Sequence, residues 1–127
     1  MKINVECTRD VILHIEEHLK YDGTVESELI VALPKFDKYK ADDIRYAIKQ
    51  LCKENMLEYV RNVDKKVDLP QGGHYTIYDV NPEGHKFCDL IREESNWKKN
   101  LPKICSLSNI ANVIAILSQL VPLFSIL

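Results

Sequence analysis

The chain has 127 residues, 28 % of them charged and 46 % apolar, with a formal net charge of −2. That length and balance describe one folded domain with an appendage, and they exclude an intrinsically disordered chain. A sequence pI of 6.1 also lacks the strongly basic balance of an avid nucleic-acid binder. The charge is uneven: residues 1–34 carry −4, residues 35–66 carry +3 and residues 67–127 carry −1, so an anionic partner is expected at the middle third.

The stretch CTRDVILHIEEHLKYDG predicts a first helix, with Asn4 or Thr8 as cap, Asp10 in its first turn, and Val11, Ile12, Ile15 and Leu19 on one face. Gly23 is its expected end. A short strand over Thr24 to Ser27 and a short helix over Glu28 to Leu33 follow, stopped by Pro34. Lys35 to Lys40 form a basic turn. Then Ile44, Ala47, Ile48, Leu51 and Cys52 recur at helical spacing after the acidic start Asp42 and Asp43, and Asn55 is the expected C-cap. Residues 57–63 and 74–80 are β-branched and aromatic strands around a polar loop containing Pro70, Gly72 and Gly73. A last helix begins at Asn81 as cap and Pro82 as first residue, with Phe87, Leu90 and Ile91 inward, and runs on past Trp97. Helix, short strand, two helices, β-hairpin and helix give an α+β fold, a winged helix-turn-helix with a two-stranded β-hairpin wing. It occupies residues 1–100 and carries an apolar C-terminal helix over 101–127.

Two motifs carry a resemblance. Met1, Lys2, Arg9 and Asp10 precede or open the first helix, and Gly84, His85, Phe87, Asp89, Ile91 and Arg92 form a Gly-His-x-Phe-x-Asp-x-Ile-Arg pattern with Trp97 beyond. In these the chain resembles, over roughly residues 1–100, a family of small bacterial and prophage proteins of unknown function, described as winged-helix-like. The resemblance implies that fold and a phage-linked context. It implies no activity, because the family has none to carry over.

The third helix offers the candidate site. Arg45, Lys49 and Lys53 stand at i, i+4 and i+8, with Tyr46 and Gln50 beside them, opposite the apolar row. In a helix-turn-helix this is the recognition helix: Arg45 and Lys49 suit guanine, Gln50 suits adenine, and Lys65 and Lys66 at the wing tip suit phosphates. Equally, a helix needs a solvated face, and Asp42, Asp43 and Glu54 dilute the field. Double-stranded DNA is therefore an expected partner, and a host or phage protein docked on the same surface is the alternative.

Other chemistry is expected to be absent. His14 and His18 share a helical spacing that suits a metal, but HIEEH is not HExxH and two ligands make no site, so no metal and no other cofactor is expected. Cys7, Cys52, Cys88 and Cys105 form no Cys-x-x-Cys pair; reduced, buried thiols are expected. With no phosphate loop, serine elbow or paired carboxylates in a cleft, the chain reads as non-enzymatic, without a small-molecule substrate. The opening MKINVECTRD has no apolar h-region, and a cytoplasmic protein is expected.

From Ile104 to Leu127 no residue is charged. On a helix, Leu107, Ile110, Ile114, Leu117, Val121 and Phe124 form one row, and Val113, Ile116, Leu120, Leu123 and Leu127 form another. Three uses compete: packing on the chain's own domain, a homo-oligomer interface, and a membrane. Lys98, Lys99 and Lys103 make a basic flank that suits the membrane, whereas Asn112, Ser118, Gln119 and Pro122 oppose a lone span. The expected interface is Leu107, Ile110, Val113, Ile114, Leu117, Leu120, Val121 and Phe124, in a homodimer first and a membrane-associated tail second.

Overall fold

The computed structural model of the chain describes residues 3–62 and 74–104. Lys65, Lys66 and the expected interface from Leu107 to Phe124 lie outside the described residues. Within them the fold is α+β, with five α-helices and one three-stranded antiparallel sheet.

Helix α1 (Val5–His18) starts where Asn4, in extended backbone, accepts a hydrogen bond from Cys7 N at 3.1 Å. Asn4 is thus the cap, and Thr8 is buried with its hydroxyl donating to Asn4 O at 2.9 Å. The helix stops at His18, five residues before Gly23, because Leu19 turns to extended backbone and lies half-buried against the core. Gly23 instead closes the following turn, its N–H donating to Lys20 O at 3.0 Å.

Strand β1 (Val25–Glu26) runs straight into α2 (Ser27–Val31). Pro34 then opens a short 3-10 helix, Pro34–Phe36, whose Phe36 is only 2 % exposed and anchors the turn under α1. Helix α3 (Ala41–Lys53) ends in a paired lock: Asn55 takes φ 60°, its N–H reaches Cys52 O at 3.1 Å, and Met56 N reaches Leu51 O at 3.0 Å. That is a Schellman motif, which satisfies the last carbonyls of the helix and turns the chain into the sheet.

Strands β2 (Leu57–Asn62) and β3 (His74–Val80) pair antiparallel, Leu57 with Val80 at one end and Asn62 with His74 at the other. The register shifts between Glu58 and Tyr59, leaving Tyr78 as the extra residue of a bulge. Strand β1 pairs with β3 through Val25–Ile77 and Glu26–Thr76, so the expected hairpin gains a third strand in the order β1-β3-β2.

Helix α4 (Pro82–Arg92) begins at Asn81 and Pro82, but the single long helix expected beyond it is broken. Glu93 takes extended backbone (ψ 113°), and α5 (Glu94–Ile104) sets off in a new direction with Trp97 buried at 3 % exposure. The break has a partner in α1. Arg9 Nε donates to Ile91 O at 2.9 Å and its Nη2 to Arg92 O at 3.4 Å, while its guanidinium lies 5.2 Å from the Trp97 ring centre. One side chain therefore supplies donors to carbonyls that the helix end leaves open and a cation over the next helix's indole.

The core lies between α1, α3, α4 and the inner face of the sheet, where Ile12, Ile15, Ile44, Ile48, Leu51, Ile77 and Ile91 are fully buried. Cys7, Cys52 and Cys88 sit in it as small apolar groups, and burial pushes each thiol up to about 12, which keeps it protonated. Leu90, expected inward, is half-buried at the edge.

Two sites in this packing yield tests. A Cβ at Gly84 would stand 2.3 Å from Met56 O and 2.8 Å from Val80 Cγ1, whereas one at Gly23 meets nothing nearer than 3.5 Å. Gly84→Ala is expected to lower the unfolding free energy by about 1–3 kcal/mol in a urea titration, with Gly23→Ala near neutral, and equal stability of the two variants would refute the contact. His14 packs edge-on to Phe36 (5.6 Å) and is stacked on His18 (4.2 Å); burial, then Lys35 and then His18, lower its pKa from 6.5 to about 4. The unfolded chain then binds this proton more readily, so stability present above pH 6.5 is lost as pH falls towards 4. The wild type is expected to lose more Tm across that window than His14→Leu; parallel losses would clear His14 of the effect.

Candidate nucleic-acid interface

Helix α3 carries the expected site, and its surroundings decide which side chains are presented. Lys40, in extended backbone, occupies the N-cap position, and Asp42 and Asp43 lie in the first turn, where the helix dipole favours carboxylates. Ile44, Ala47, Ile48 and Leu51 face the core. Because α1, α2 and β2 all pack on α3, its buried arc is wider than an apolar stripe against one neighbour. Gln50 falls inside that arc and is only 7 % exposed. Its expected place on the solvent face, reading adenine, is therefore corrected.

Lys49 and Lys53 are exposed and Tyr46 is half-buried along the same side. Arg45 is also on that side, but it is engaged. Its Nη2 donates to Glu28 Oε1 at 2.9 Å, its Nε to Glu28 Oε2 at 3.2 Å, and its Nη1 to Asp42 Oδ1 at 3.3 Å. Both partners of the Arg45–Glu28 pair are about one-third exposed, and the pairing to Glu28 raises the guanidinium's pKa further still. Arg45 thus ties α2 to α3 through a fork-on-carboxylate contact and does not offer that fork outward. Glu28 and Arg45 are 17 residues apart, so no helical spacing announces the pair.

Three further cations flank the N-terminus of α3. Lys35, Lys38 and Lys40 are all exposed. Lys38 Nζ lies 3.4 Å from Asp10 Oδ2, and Tyr39 donates its hydroxyl to the same oxygen at 2.5 Å. Burial, and then this bond to Asp10, push the Tyr39 phenol up, so it remains a donor. Residues 35–40 are a basic turn by composition, and the burial of Phe36 and the packing of Tyr39 against the core hold it in place. From Lys35 to Lys53 six cations stand against three carboxylates, Asp37, Asp42 and Asp43.

His14 and His18 lie together, their rings stacked with centres 4.2 Å apart. His18 Nδ1 lies 2.9 Å from His14 O, and His14 Nδ1 is buried without a hydrogen-bond partner among the described residues. Among the described residues no group of three or more His, Cys, Asp or Glu could hold a metal. Nor is any helix among them long and apolar enough to cross a membrane.

Nothing matches the chain among the curated proteins, and nothing does among the solved structures. A family described as "Hypothetical protein (DUF2513)" matches residues 2–108, a range that takes in every described element from α1 to α5. The chain belongs to this family of unknown function.

Proposed function

We propose that the protein is a non-enzymatic, winged-helix DNA-binding or regulatory protein that dimerises through its C-terminal segment. The observation that carries the reading is the order α1-β1-α2-α3-β2-β3 with sheet order β1-β3-β2, which sets a hairpin directly after α3, together with the exposure of Lys49 and Lys53 on that helix beside a Tyr46 half-buried against the core. In a winged helix that third helix enters the major groove and the wing lies on the neighbouring backbone. On this reading Lys49, Lys53 and Tyr46 contact the duplex, Lys65 and Lys66 act from the wing, and Lys35, Lys38 and Lys40 add phosphate contacts at the helix start. Arg45 positions α2 against α3, and Gln50 supports the fold from inside. The phage or mobile-element origin rests on the motif resemblance alone.

A second reading, a protein-docking module on the same surface, draws on Leu29. This leucine is 65 % exposed on α2, the helix that Arg45 ties to α3 through Glu28, and would supply an apolar contact to a docked protein.

Binding to a mixed-sequence duplex, followed by fluorescence anisotropy at about 50 mM salt, separates the two. The DNA reading expects salt-sensitive binding, weakened about tenfold or more by the Lys49→Glu, Lys53→Glu double variant, because each lost phosphate contact removes counterion release. Indifference to DNA at low salt would end it and leave the docking reading. For the dimer, light scattering on the full chain and on a truncation ending at Lys103 is expected to give a dimer and a monomer. A monomeric full chain would remove dimerisation from the proposal, and a full chain that needs detergent would put the tail in a membrane.

A further inference from the structure

The C-terminal end of α1, the turn after it, the end of β3 and the start of α4 enclose a groove of about 500 Å3 that borrows no residue from α3. Two tyrosines and three carboxylates dominate it: Tyr21 and Tyr78, with Glu16, Asp22 and Asp79. Tyr21 is fully exposed at the tip of its turn, and Tyr78, the bulged residue of β3, is 45 % exposed. Aromatic side chains left in water beside a concavity are the usual anchors of protein interfaces, because a rigid ring buries much area at little entropic cost.

We propose that this groove docks a basic segment of a partner protein, laying an arginine or lysine side chain beside Tyr21 and Tyr78 with its charge directed at Asp22 and Asp79. The argument is charge complementarity on a preformed frame. Asp79 is held by its own strand, its Oδ1 accepting from Val80 N at 2.8 Å. Tyr78 is held by its hydroxyl donating to Glu58 Oε2 at 3.3 Å, which brings a further carboxylate to the rim. The turn that carries Tyr21 and Asp22 is closed by the bond from Gly23 N to Lys20 O. Glu16 contributes less, since its carboxylate already meets His85 Nδ1 at 2.9 Å and Arg92. Lys20 also lines the groove, and its charge is outnumbered by the acids around it. The first 34 residues carry −4, so the wider field has the same sign. That field repels nucleic acid and attracts cations, and a cation seated over a tyrosine face gains in addition.

The test uses the full chain and a fluorescein-labelled peptide of alternating arginine and leucine, with a glutamate-leucine peptide as control. Binding of the arginine peptide alone is expected. Tyr78→Ala and Asp22→Lys should each weaken it about tenfold, while Glu94→Lys, on α5, leaves it unchanged. Asp22 lies in an exposed turn, so its variant keeps the fold intact even if Tyr78→Ala perturbs the sheet. Binding of both peptides, of neither, or equally by the wild type and the groove variants would overturn the proposal. So would concentration-dependent self-association lost in the same variants, which would assign the groove to a second copy of the chain.

Discussion

The carbonyl of Met56 is the point on which three elements are hung. It accepts from Asn81 N at 2.9 Å, and it lies so near α4 that only a hydrogen fits at residue 84. One residue earlier, Asn55 holds the left-handed conformation that ends α3, and the Asn81 side chain donates to Asn55 O at 2.9 Å and to its Oδ1 at 3.2 Å. The end of α3, the start of β2 and the entry to α4 are thereby fixed to one another through two consecutive residues. Asn81 gives up an N-cap bond to do this, a loss of roughly 1 kcal/mol that the buried long-range bonds offset. Any surface that α3 presents is positioned through this joint.

Helix α1 is the second support, and it works on two sides. Towards α4 and α5 it sends Arg9, on the carbonyls of Ile91 and Arg92 and the Trp97 ring, and Glu16, on His85 and Arg92. Towards the basic turn it sends Asp10, bound by Tyr39 and Lys38, and His14, packed on Phe36. Several residues that carried the resemblance sit in or near these contacts: Arg9, Asp10, Gly84, His85, Asp89, Arg92 and Trp97. All but Asp89, which pairs with Arg92 within α4, have a packing or hydrogen-bonding role at a junction between elements. They mark how the fold is tied together, and they leave the α3 surface and the acidic groove to be judged on their own chemistry.

Most elements were legible because their signals are local. The cap at Asn4, the apolar row of α3, the left-handed Asn55, the two strands around Gly72 and Gly73, and the Asn81-Pro82 helix start all follow from spacings of a few residues. What escaped depends on distant partners. Nothing near Glu93 breaks a helix, and the break is held open by Arg9, 82 residues away from Ile91. Leu19 leaves its helix to reach the core, so Gly23 closes a turn and not the helix. The burial of Gln50 depends on how many neighbours pack on α3, and helical periodicity counts only one apolar face. For the candidate surface on α3, the sequence shows the sign of its charge, a basic middle third, but not which cations it presents, because Glu28 captures Arg45 across 17 residues.

That capture shapes what a DNA-binding α3 would be able to do. Arginine reads guanine through a planar fork, and here the fork is already filled by Glu28 and Asp42. Lys49 and Lys53, the exposed cations left on the helix, are compact point charges that suit phosphate oxygens better than base edges. With Gln50 inside the core, Tyr46, half-buried, is the other polar side chain of the expected set that a duplex could meet. On DNA, a surface of this kind would gain affinity from the backbone and little discrimination from the bases, and a sequence preference would have to come from the shape of the groove. Releasing Arg45 to read a base would leave Glu28 facing the duplex without its partner, a repulsion that works against the contact the arginine would gain.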